Sequence, residues 1–547
     1  MSEKIKIIKI VFLATALLFL FSCSEKFLDT EPRGVLSVEN YYQTDDESMA
    51  GTLACYDLVQ DQQFGIWGGS YLVRNTLSDE VITGGGGRGD QPGYEELNEY
   101  RFGPNNPFVT AVYAGCYRII NRCNTIIHYV EPNTESKKIN IAEAKCLRAL
   151  ANFELVALWG EYASLVLKLL DPDEYQVAPP EGGEQAFWDA IEEDLQAAIA
   201  DLPLKSEYAL KDKYRVSKGF AQALLGKAYL YQGRYQEAAQ MFEEVINSGE
   251  YSLIPVETVD DMRDIFRIPQ EFGDESLFEV SYTNTTNKDW GSFNWGNNRL
   301  NESNINWQLC GPRSDYFIGI ENIGMRIGWG FLYPTPNLAS VYEEEEGYSG
   351  IRYRAFIMSE DTLIAYGVQP TNAAGDYPYG YAGYIRLKYG TWESETGGPV
   401  AELNYGTNYR YMRYADVLLM AAEANLFSGN SSKATMYINQ VRERASLDPV
   451  SQVDFDTIVK ERQMELAFEG WRYLDLMRWL KNGKMEVDQV KNILDAVIDK
   501  IDELKTKYPQ LQYVNRQPWD PRYKLLPIPE QEISVNLKAG RNPDYEQ

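Results

Sequence analysis

Apolar residues recur at intervals of three and four in several parts of the chain, the period of a helix that buries one face. In residues 140–160 this stripe ends at Gly160, a residue type that commonly follows the last helical turn. Residues 187–202 repeat the pattern with Trp188 on the apolar face, and Pro203 stops it. The pattern therefore predicts two long helices in this part of the chain.

The segment 217–249 indicates how the helices pack. Small residues at Gly226 and Ala238 allow two antiparallel helices to approach closely, and Gly233 turns the chain between them, as in a tetratricopeptide unit. A second segment has the same spacing, with Gly429 in the place of Gly233. The copies are much farther apart than one repeat of roughly 34 residues. We therefore predict a mainly α fold, in which tetratricopeptide-like helix pairs form a scaffold with long loop and short-strand insertions.

Two segments interrupt the helical pattern. Residues 60–110 are dense in Gly, Pro, Asn and Asp, which favour turns, and we predict surface loops there. Residues 251–400 alternate short β-branched or aromatic runs with loops, which predicts short strands. The loops of this second segment carry Trp290, Trp295, Trp307, Trp329 and Tyr333.

The first residues are typical of an export signal. Three lysines precede an almost wholly apolar run over residues 10–21, which is too short to cross roughly 30 Å of hydrocarbon. The run ends in Leu20-Phe21-Ser22-Cys23, which resembles a bacterial lipobox. We predict a signal peptide over residues 1–22 and acyl chains on Cys23 that hold the protein at a membrane surface.

Composition narrows the choice of partners. The chain has 547 residues and a formal charge of −28, which repels phosphate backbones, so nucleic acid is not an expected partner. It also has 39 Tyr and 11 Trp, more aromatic surface than a core requires, and this surplus can stack on sugar rings or contact other proteins.

Signatures of catalysis and of cofactor binding are weak. With one histidine, His128, and no CxxC pair, we predict no metal and no cofactor, and we expect the remaining cysteines to be buried free thiols. The run TGGGGRGD at residues 83–90 lacks the lysine of a phosphate-binding loop, and we interpret it as a flexible loop. Glu465 and Glu469 lie among arginines, which favours structural ion pairs over a catalytic acid and base.

The last third of the chain contains the most specific motifs. They are RYADVLLMAAEA from residue 413, INQVRERA from 438, ERQMELAFEGWRYLDLMRW from 461, then LLPIPEQEI and RNPDYEQ. Together with the lipobox and the helix EAKCLRALANFELVALWG, they resemble the SusD/RagB outer-membrane lipoproteins of Bacteroidetes. The resemblance implies a single SusD-like domain over residues 23–547, with an N-terminal part to about 250, an insertion over about 251–400 and a C-terminal helical part over about 401–547.

The resemblance also implies a function. Proteins of this family capture oligosaccharides outside the cell and deliver them to a SusC-like TonB-dependent transporter in the outer membrane, without catalysis. They generally place the glycan on loops from the two irregular segments, where aromatic faces and hydrogen-bonding side chains combine. The candidate glycan-binding residues are Trp67, Asn75, Asp79 and Glu80 in the first segment and Trp290, Asn294, Trp295, Asn297, Arg299 and Trp307 in the second.

Two other functions stay open at the level of sequence. A surface glycoside hydrolase is one, because the carboxylate pairs of those enzymes have no short universal motif. A tetratricopeptide-like adaptor for peptides or proteins is the other, because exposed Trp and Tyr are equally favoured at protein interfaces.

Overall fold

The computed structural model describes residues 41–64, 69–293 and 302–546, and within these ranges it contains 19 α-helices and six short strands. The helices are α1 Asp45–Phe64, α2 Ser70–Thr76, α3 Pro92–Asn98, α4 Pro107–Tyr129, α5 Glu135–Trp159, α6 Glu184–Asp201, α7 Lys218–Tyr231, α8 Tyr235–Asn247, α9 Val259–Asp264, α10 Ile305–Cys310, α11 Pro336–Glu345, α12 Ile351–Phe356, α13 Glu360–Ala365, α14 Tyr414–Phe427, α15 Ser431–Arg444, α16 Phe455–Leu466, α17 Arg472–Lys481, α18 Val487–Leu504 and α19 Glu530–Val535. The strands are β1 Val81–Thr83, β2 Ser276–Val280, β3 Leu332–Pro334, β4 Ile357–Ser359, β5 Tyr384–Arg386 and β6 Tyr409–Arg413.

Helices α4 to α8 form a row in which each helix packs against the next. The row continues from α8 to α14, a distant helix in sequence, and α14 packs against α15. The pairs α7–α8 and α14–α15 are the two tetratricopeptide-like copies, which now lie side by side. The predicted mainly α scaffold is therefore confirmed, including the long helix that ends at Gly160.

Glycines allow the close packing of the α7–α8 pair. A Cβ on Gly226 would lie 2.8 Å from the Phe242 ring and 3.1 Å from the Cβ of Met241, closer than two side chains normally approach. The turn between these helices places Gly233 at a φ of +71°, and the corresponding turn of the second pair places Gly429 at +88°. The spacing of small residues therefore predicted both the pairing and its turns.

The described strands form three antiparallel two-stranded ribbons, β1–β3, β2–β6 and β4–β5. Each ribbon joins parts of the chain that are far apart in sequence or fixes a loop of the insertion. β1 pairs with β3 in the register Val81 to Pro334 and Thr83 to Leu332. This ribbon brings the first irregular segment beside the second.

A small second core supports the insertion. Phe317, Met325, Tyr333 and Tyr381 are buried together, and they pack with Val497 from α18. The larger core runs through the helical row and reaches the C-terminal helices. The insertion is therefore fixed to the scaffold by packing and has its own buried side chains.

The prediction of surface loops over residues 60–110 is wrong for most of that segment. It contains α2, β1 and α3, and most of its described residues are buried. The polar side chains of this segment form buried hydrogen bonds with the backbone of the short elements. Asn98 donates to the Thr76 and Val81 carbonyls at 2.9 and 3.0 Å and accepts from the Thr83 N–H at 3.1 Å. Residues 86–90 do reach solvent in the predicted loop.

A buried ionic network joins the C-terminal motifs to the rest of the fold. Arg413, at the end of β6, donates to Glu465 at 2.7 Å and to Glu469 at 2.6 Å. Arg352, in α12, donates to Glu461 at 2.6 Å and to Glu465 at 3.0 Å. These side chains are at most 1% exposed. As predicted, Glu465 and Glu469 are in structural ion pairs.

The network is a strong constraint because each charge depends on the others. Burial opposes ionisation of Glu465, but the guanidinium groups of Arg444, Arg413 and Arg352 hold its pKa well below the ordinary value. A buried ion pair adds little net stability compared with an apolar pair, whereas the loss of one partner leaves an uncompensated charge. We therefore expect replacement of all the paired charges by apolar residues to destabilise the protein less than replacement of a single member.

We predict that Glu465→Gln lowers the free energy of unfolding by about 3–5 kcal/mol, because it removes the one carboxylate that three buried arginines share. The matched control is Glu345→Gln, which breaks an ion pair with the half-exposed Lys460 and should change that free energy by less than about 1 kcal/mol. Urea denaturation at pH 7 measures both variants. Equal effects of the two substitutions would contradict the role given to the network.

Candidate functional site

Trp290 is an exposed tryptophan on a loop that leaves the end of β2. The loop is closed at its base by a hydrogen bond from the Thr283 N–H to the Glu302 carbonyl, at 2.7 Å. Beside Trp290, the carboxylate of Asp289 accepts from the N–H groups of Gly291 and Ser292 at 3.0 and 2.7 Å. Hydrogen bonds from Ser292 and from these N–H groups lower the pKa of Asp289. The indole is 54% exposed at this turn.

Trp329 lies next to Trp290 and is half-buried against the main core. The two ring centroids are 6.5 Å apart and the ring planes differ by 21°. The backbone at Trp329 is fixed on both sides: its N–H donates to the Gln308 carbonyl, and the Gly330 N–H donates to the Gly311 carbonyl, each at 2.8 Å. The two rings form a nearly parallel pair, which we call the indole pair.

The glycine-rich loop of the first segment lies against the backbone that carries Trp329. The Gly84 N–H donates to the Phe331 carbonyl at 3.0 Å, and the Gly85 N–H donates to the Gly330 carbonyl at 2.8 Å. A Cβ on Gly84 would lie 2.1 Å from the Gly330 oxygen, so only glycine fits this contact. The two irregular segments therefore meet beside the indole pair.

A groove of about 270 Å³ lies at the base of the Trp290 loop. Tyr56, Tyr282 and Gln60 line it, and the Tyr282 hydroxyl donates to the Gln60 carbonyl at 3.0 Å. Asp57 and Glu302 supply carboxylates at its edge, and burial together with repulsion from Glu302 raises the pKa of Asp57. Tyrosine faces and carboxylates in one groove can contact both the apolar and the hydroxyl-bearing sides of a sugar.

Four sequence-predicted site residues lie in the interior. Asn75, Asp79, Glu80 and Trp307 are each at most 3% exposed, so the prediction that they contact a glycan is corrected. Asp79 accepts from Arg472 at 2.9 Å, and the Trp307 indole N–H donates to the Thr407 carbonyl at 2.9 Å. Trp307 also stacks on Tyr389 at 4.3 Å. Their polar groups therefore form contacts inside the protein that stabilise the fold.

The remaining candidates divide into two groups. Trp290 is exposed in the indole pair, as described above. Trp67, Asn294, Trp295, Asn297, Arg299 and the lipobox residue Cys23 lie outside the described residues. Trp329 was not among the candidate residues, although its position between Gly328 and Gly330 is a signal of tightly approaching backbone that sequence analysis could have used.

Neither a metal cluster nor a membrane span is found in the described parts of the chain. Over those residues, no group of three or more His, Cys, Asp or Glu side chains could hold a metal ion. No helix there combines the length and the apolar character needed to cross a bilayer. Five described cysteines are buried free thiols, as predicted, and they are Cys55, Cys116, Cys123, Cys146 and Cys310.

The pKa of Glu80, in the first irregular segment, is strongly shifted by burial in the interior. Burial, followed by repulsion from Asp79, raises the pKa of Glu80 to about 8. One of its oxygens accepts from the Phe468 N–H at 3.1 Å, and the other has no hydrogen-bond partner among the described residues. Glu80 is therefore a buried acid of the core near the C-terminal motif.

Comparison with known proteins gives consistent results along the chain. Residues 346–545 match the model of the SusD family, and residues 94–230 match a model described as starch-binding associating with outer membrane. SusD-like protein P2 of Formosa agariphila is 29% identical over 88% of this chain and 91% of its own length. A SusD-like protein of Bacteroides ovatus is 24% identical over 86% of this chain and 82% of its own length.

Solved structures have the same fold. A laminarin binding SusD-like protein is similar with a TM-score of 0.75 and 28% identity, covering 92% of this chain and all of that one. Surface glycan-binding protein A of Bacteroides thetaiotaomicron, in complex with laminarihexaose, is similar with a TM-score of 0.71 and 22% identity, covering 91% of this chain and all of that one.

We predict that Glu80→Gln changes the pH dependence of stability. The folded-state pKa of Glu80 lies above the unfolded value of 4.5, so the folded state loses stability as pH rises from about 4.5 to about 8. The variant should match the parent protein at pH 5 and exceed its free energy of unfolding by at least about 1 kcal/mol at pH 8. Urea denaturation at pH 5, 6, 7 and 8 measures this, and parallel curves would refute the assignment.

Proposed function

Because the chain belongs to the SusD/RagB family, we propose that it is a non-catalytic surface lipoprotein that captures oligosaccharides and delivers them to a SusC-like TonB-dependent transporter. The observation that carries the proposal is the indole pair of Trp290 and Trp329. It lies where two irregular segments meet on a rigid scaffold.

The physical basis is the preference of a sugar ring for an aromatic face. The C–H groups of a pyranose present an apolar surface, and an indole offers a wide, rigid counterpart with little conformational entropy to lose. Trp290 keeps more than half of its surface open, whereas large aromatic residues such as Trp159, Trp471 and Trp479 are fully buried. Exposure of an indole next to a second one is typical of a binding surface.

The relatives support an oligosaccharide ligand. One similar structure is named for laminarin binding, and another was solved in complex with laminarihexaose. In this chain Glu465 and Glu469 are held in buried ion pairs, so these two acids have a structural function that requires no catalysis. We therefore favour binding over hydrolysis.

Delivery requires the protein to stay near its transporter. Acyl chains on Cys23 would contribute about 0.8 kcal/mol per buried methylene group, so that several chains hold a folded domain at the outer membrane. A tether of this kind keeps the protein and a transporter in the same membrane, which raises their effective concentration for binding each other. Weak binding to each sugar is then compatible with efficient transfer.

We predict that Trp290→Ala and Trp329→Ala each weaken oligosaccharide binding by about tenfold, because each removes a stacking face. Isothermal titration with laminarihexaose and retardation in gels that contain laminarin or starch measure the effect. The matched control is Tyr175→Ala, which removes another exposed aromatic side chain, 60% exposed, on a different loop.

Unchanged affinity in both tryptophan variants would overturn the proposed site. Release of reducing ends from a bound polysaccharide would instead favour a hydrolase. Copurification of a partner protein without affinity for any of these glycans would favour an adaptor.

We predict that Cys23→Ser releases the protein from the membrane, because the acyl chains have no other predicted attachment point. Fractionation of cells that express the variant, with metabolic labelling by a radioactive fatty acid, measures both the location and the lipid. A labelled, membrane-bound Cys23→Ser protein would contradict the anchor.

A further inference from the structure

Arg313 lies where the glycine-rich loop meets the segment that carries Trp329. Its backbone forms a parallel bridge with Gly328, the residue before Trp329. Its Nη2 atom lies 3.2 Å from the position that a Cβ would take on Gly86, an exposed residue. The guanidinium therefore lies against the open turn of the loop, and the backbone of Arg313 runs beside the segment that carries Trp329.

The guanidinium of Arg313 has unused hydrogen-bonding capacity. Over residues 41–64, 69–293 and 302–546 it makes no ion pair and no side-chain hydrogen bond, and its Nε atom is buried without a partner. By contrast, Arg352 and Arg413 each contact two or more carboxylates. A half-buried cation without a countercharge is unfavourable, unless a ligand supplies the anion.

The carboxylate of Asp90, which also lies beside Gly86, accepts a hydrogen bond within its own loop. Asp90 accepts from the Gly86 N–H at 2.7 Å and forms no ion pair with Arg313. Lys288, two residues before Trp290, also has no ion pair in the described chain, while the adjacent Asp289 is held by backbone N–H groups. Arg313 and Lys288 therefore have no ion pair in the described chain, and Asp90 and Asp289 accept hydrogen bonds from backbone N–H groups.

We propose that this site selects glycans that carry an acidic substituent, a carboxylate or a sulfate, and that Arg313 binds the acidic group while the indole pair stacks on the sugar. The inference rests on the proposed glycan-binding function and adds the substrate class. An arginine suits this role because its planar donors match the oxygens of a carboxylate or a sulfate in pairs.

The charge of the whole protein does not oppose this assignment at short range. The net charge of −28 repels an anionic polymer at a distance, but at physiological ionic strength charges more than about 8 Å apart are largely screened. Contact with the glycan depends on the groups within that distance, and Arg313 lies against Gly86 and bridges the backbone beside Trp329. Selection is therefore a property of the site and not of the net charge.

The experiment compares acidic polymers with their neutral derivatives, using the mature chain without the lipidated cysteine, residues 24–547. Polygalacturonate and its carboxyl-reduced form test the carboxylate, ι-carrageenan and its desulfated form test the sulfate, and laminarin is a neutral reference. Affinity gels and isothermal titration at 0.15 M salt measure binding by the parent protein and by Arg313→Ala, Arg313→Lys and Arg541→Ala. Arg541 is a matched arginine, 59% exposed and near the C-terminus.

We expect at least one acidic polymer to bind at least about ten times more tightly than its neutral derivative. Arg313→Ala should lower that affinity about ten- to a hundredfold. Arg313→Lys should restore part of it, and Arg541→Ala should leave it unchanged. The Arg313 variants should bind the neutral polymers as the parent protein does, which also shows that they are folded.

Two results would overturn the inference and leave glycan capture intact. One is equal or tighter binding of the neutral polymers, and the other is a preference for acidic polymers that Arg313→Ala does not change. Failure to bind any of the five polymers, laminarihexaose or starch would overturn the proposed function and the inference with it.

Discussion

The fold depends on the pairing of buried charges around Glu465. Arginines from β6, α12 and α15 converge on this carboxylate, so elements from more than a hundred residues of sequence share one point of attachment. A hydrophobic core would accept several neighbouring arrangements of these elements, but a buried guanidinium accepts only a position that supplies its carboxylates. We infer that the ion pairs give the scaffold its register, while apolar packing gives most of its stability.

That register has a direct effect on the site. The last member of the network, Glu469, precedes Trp471 in a turn where Phe468 has a φ of +64° and Gly470 a φ of +81°. The Phe468 N–H in this turn donates to Glu80, and Glu80 immediately precedes β1. β1 then pairs with β3 and brings the glycine-rich loop to Trp329. The charged core and the aromatic surface are therefore connected through one short strand.

The periodicity of the sequence predicted those parts of the fold that depend on contacts between residues close together in the chain. The spacing of Gly226, Gly233 and Ala238 predicted a helix pair because residues only a few turns apart determine how closely two helices pack. Asp79 and Glu80 were misplaced because their burial depends on Arg472 and Phe468, almost four hundred residues away. Trp307 was misplaced for the same reason, since its partner Thr407 lies a hundred residues further along. Polar or aromatic character in a turn-rich segment does not reveal which side faces water.

The β1–β3 ribbon can form only late in the synthesis of the chain. Its two strands are about 250 residues apart in the chain, so their pairing closes a very large loop and raises the contact order. Until residue 334 is available, the glycine-rich loop has no partner and the indole surface has no support. A chain that ends before residue 334 would therefore lack the contact that supports the backbone of Trp329.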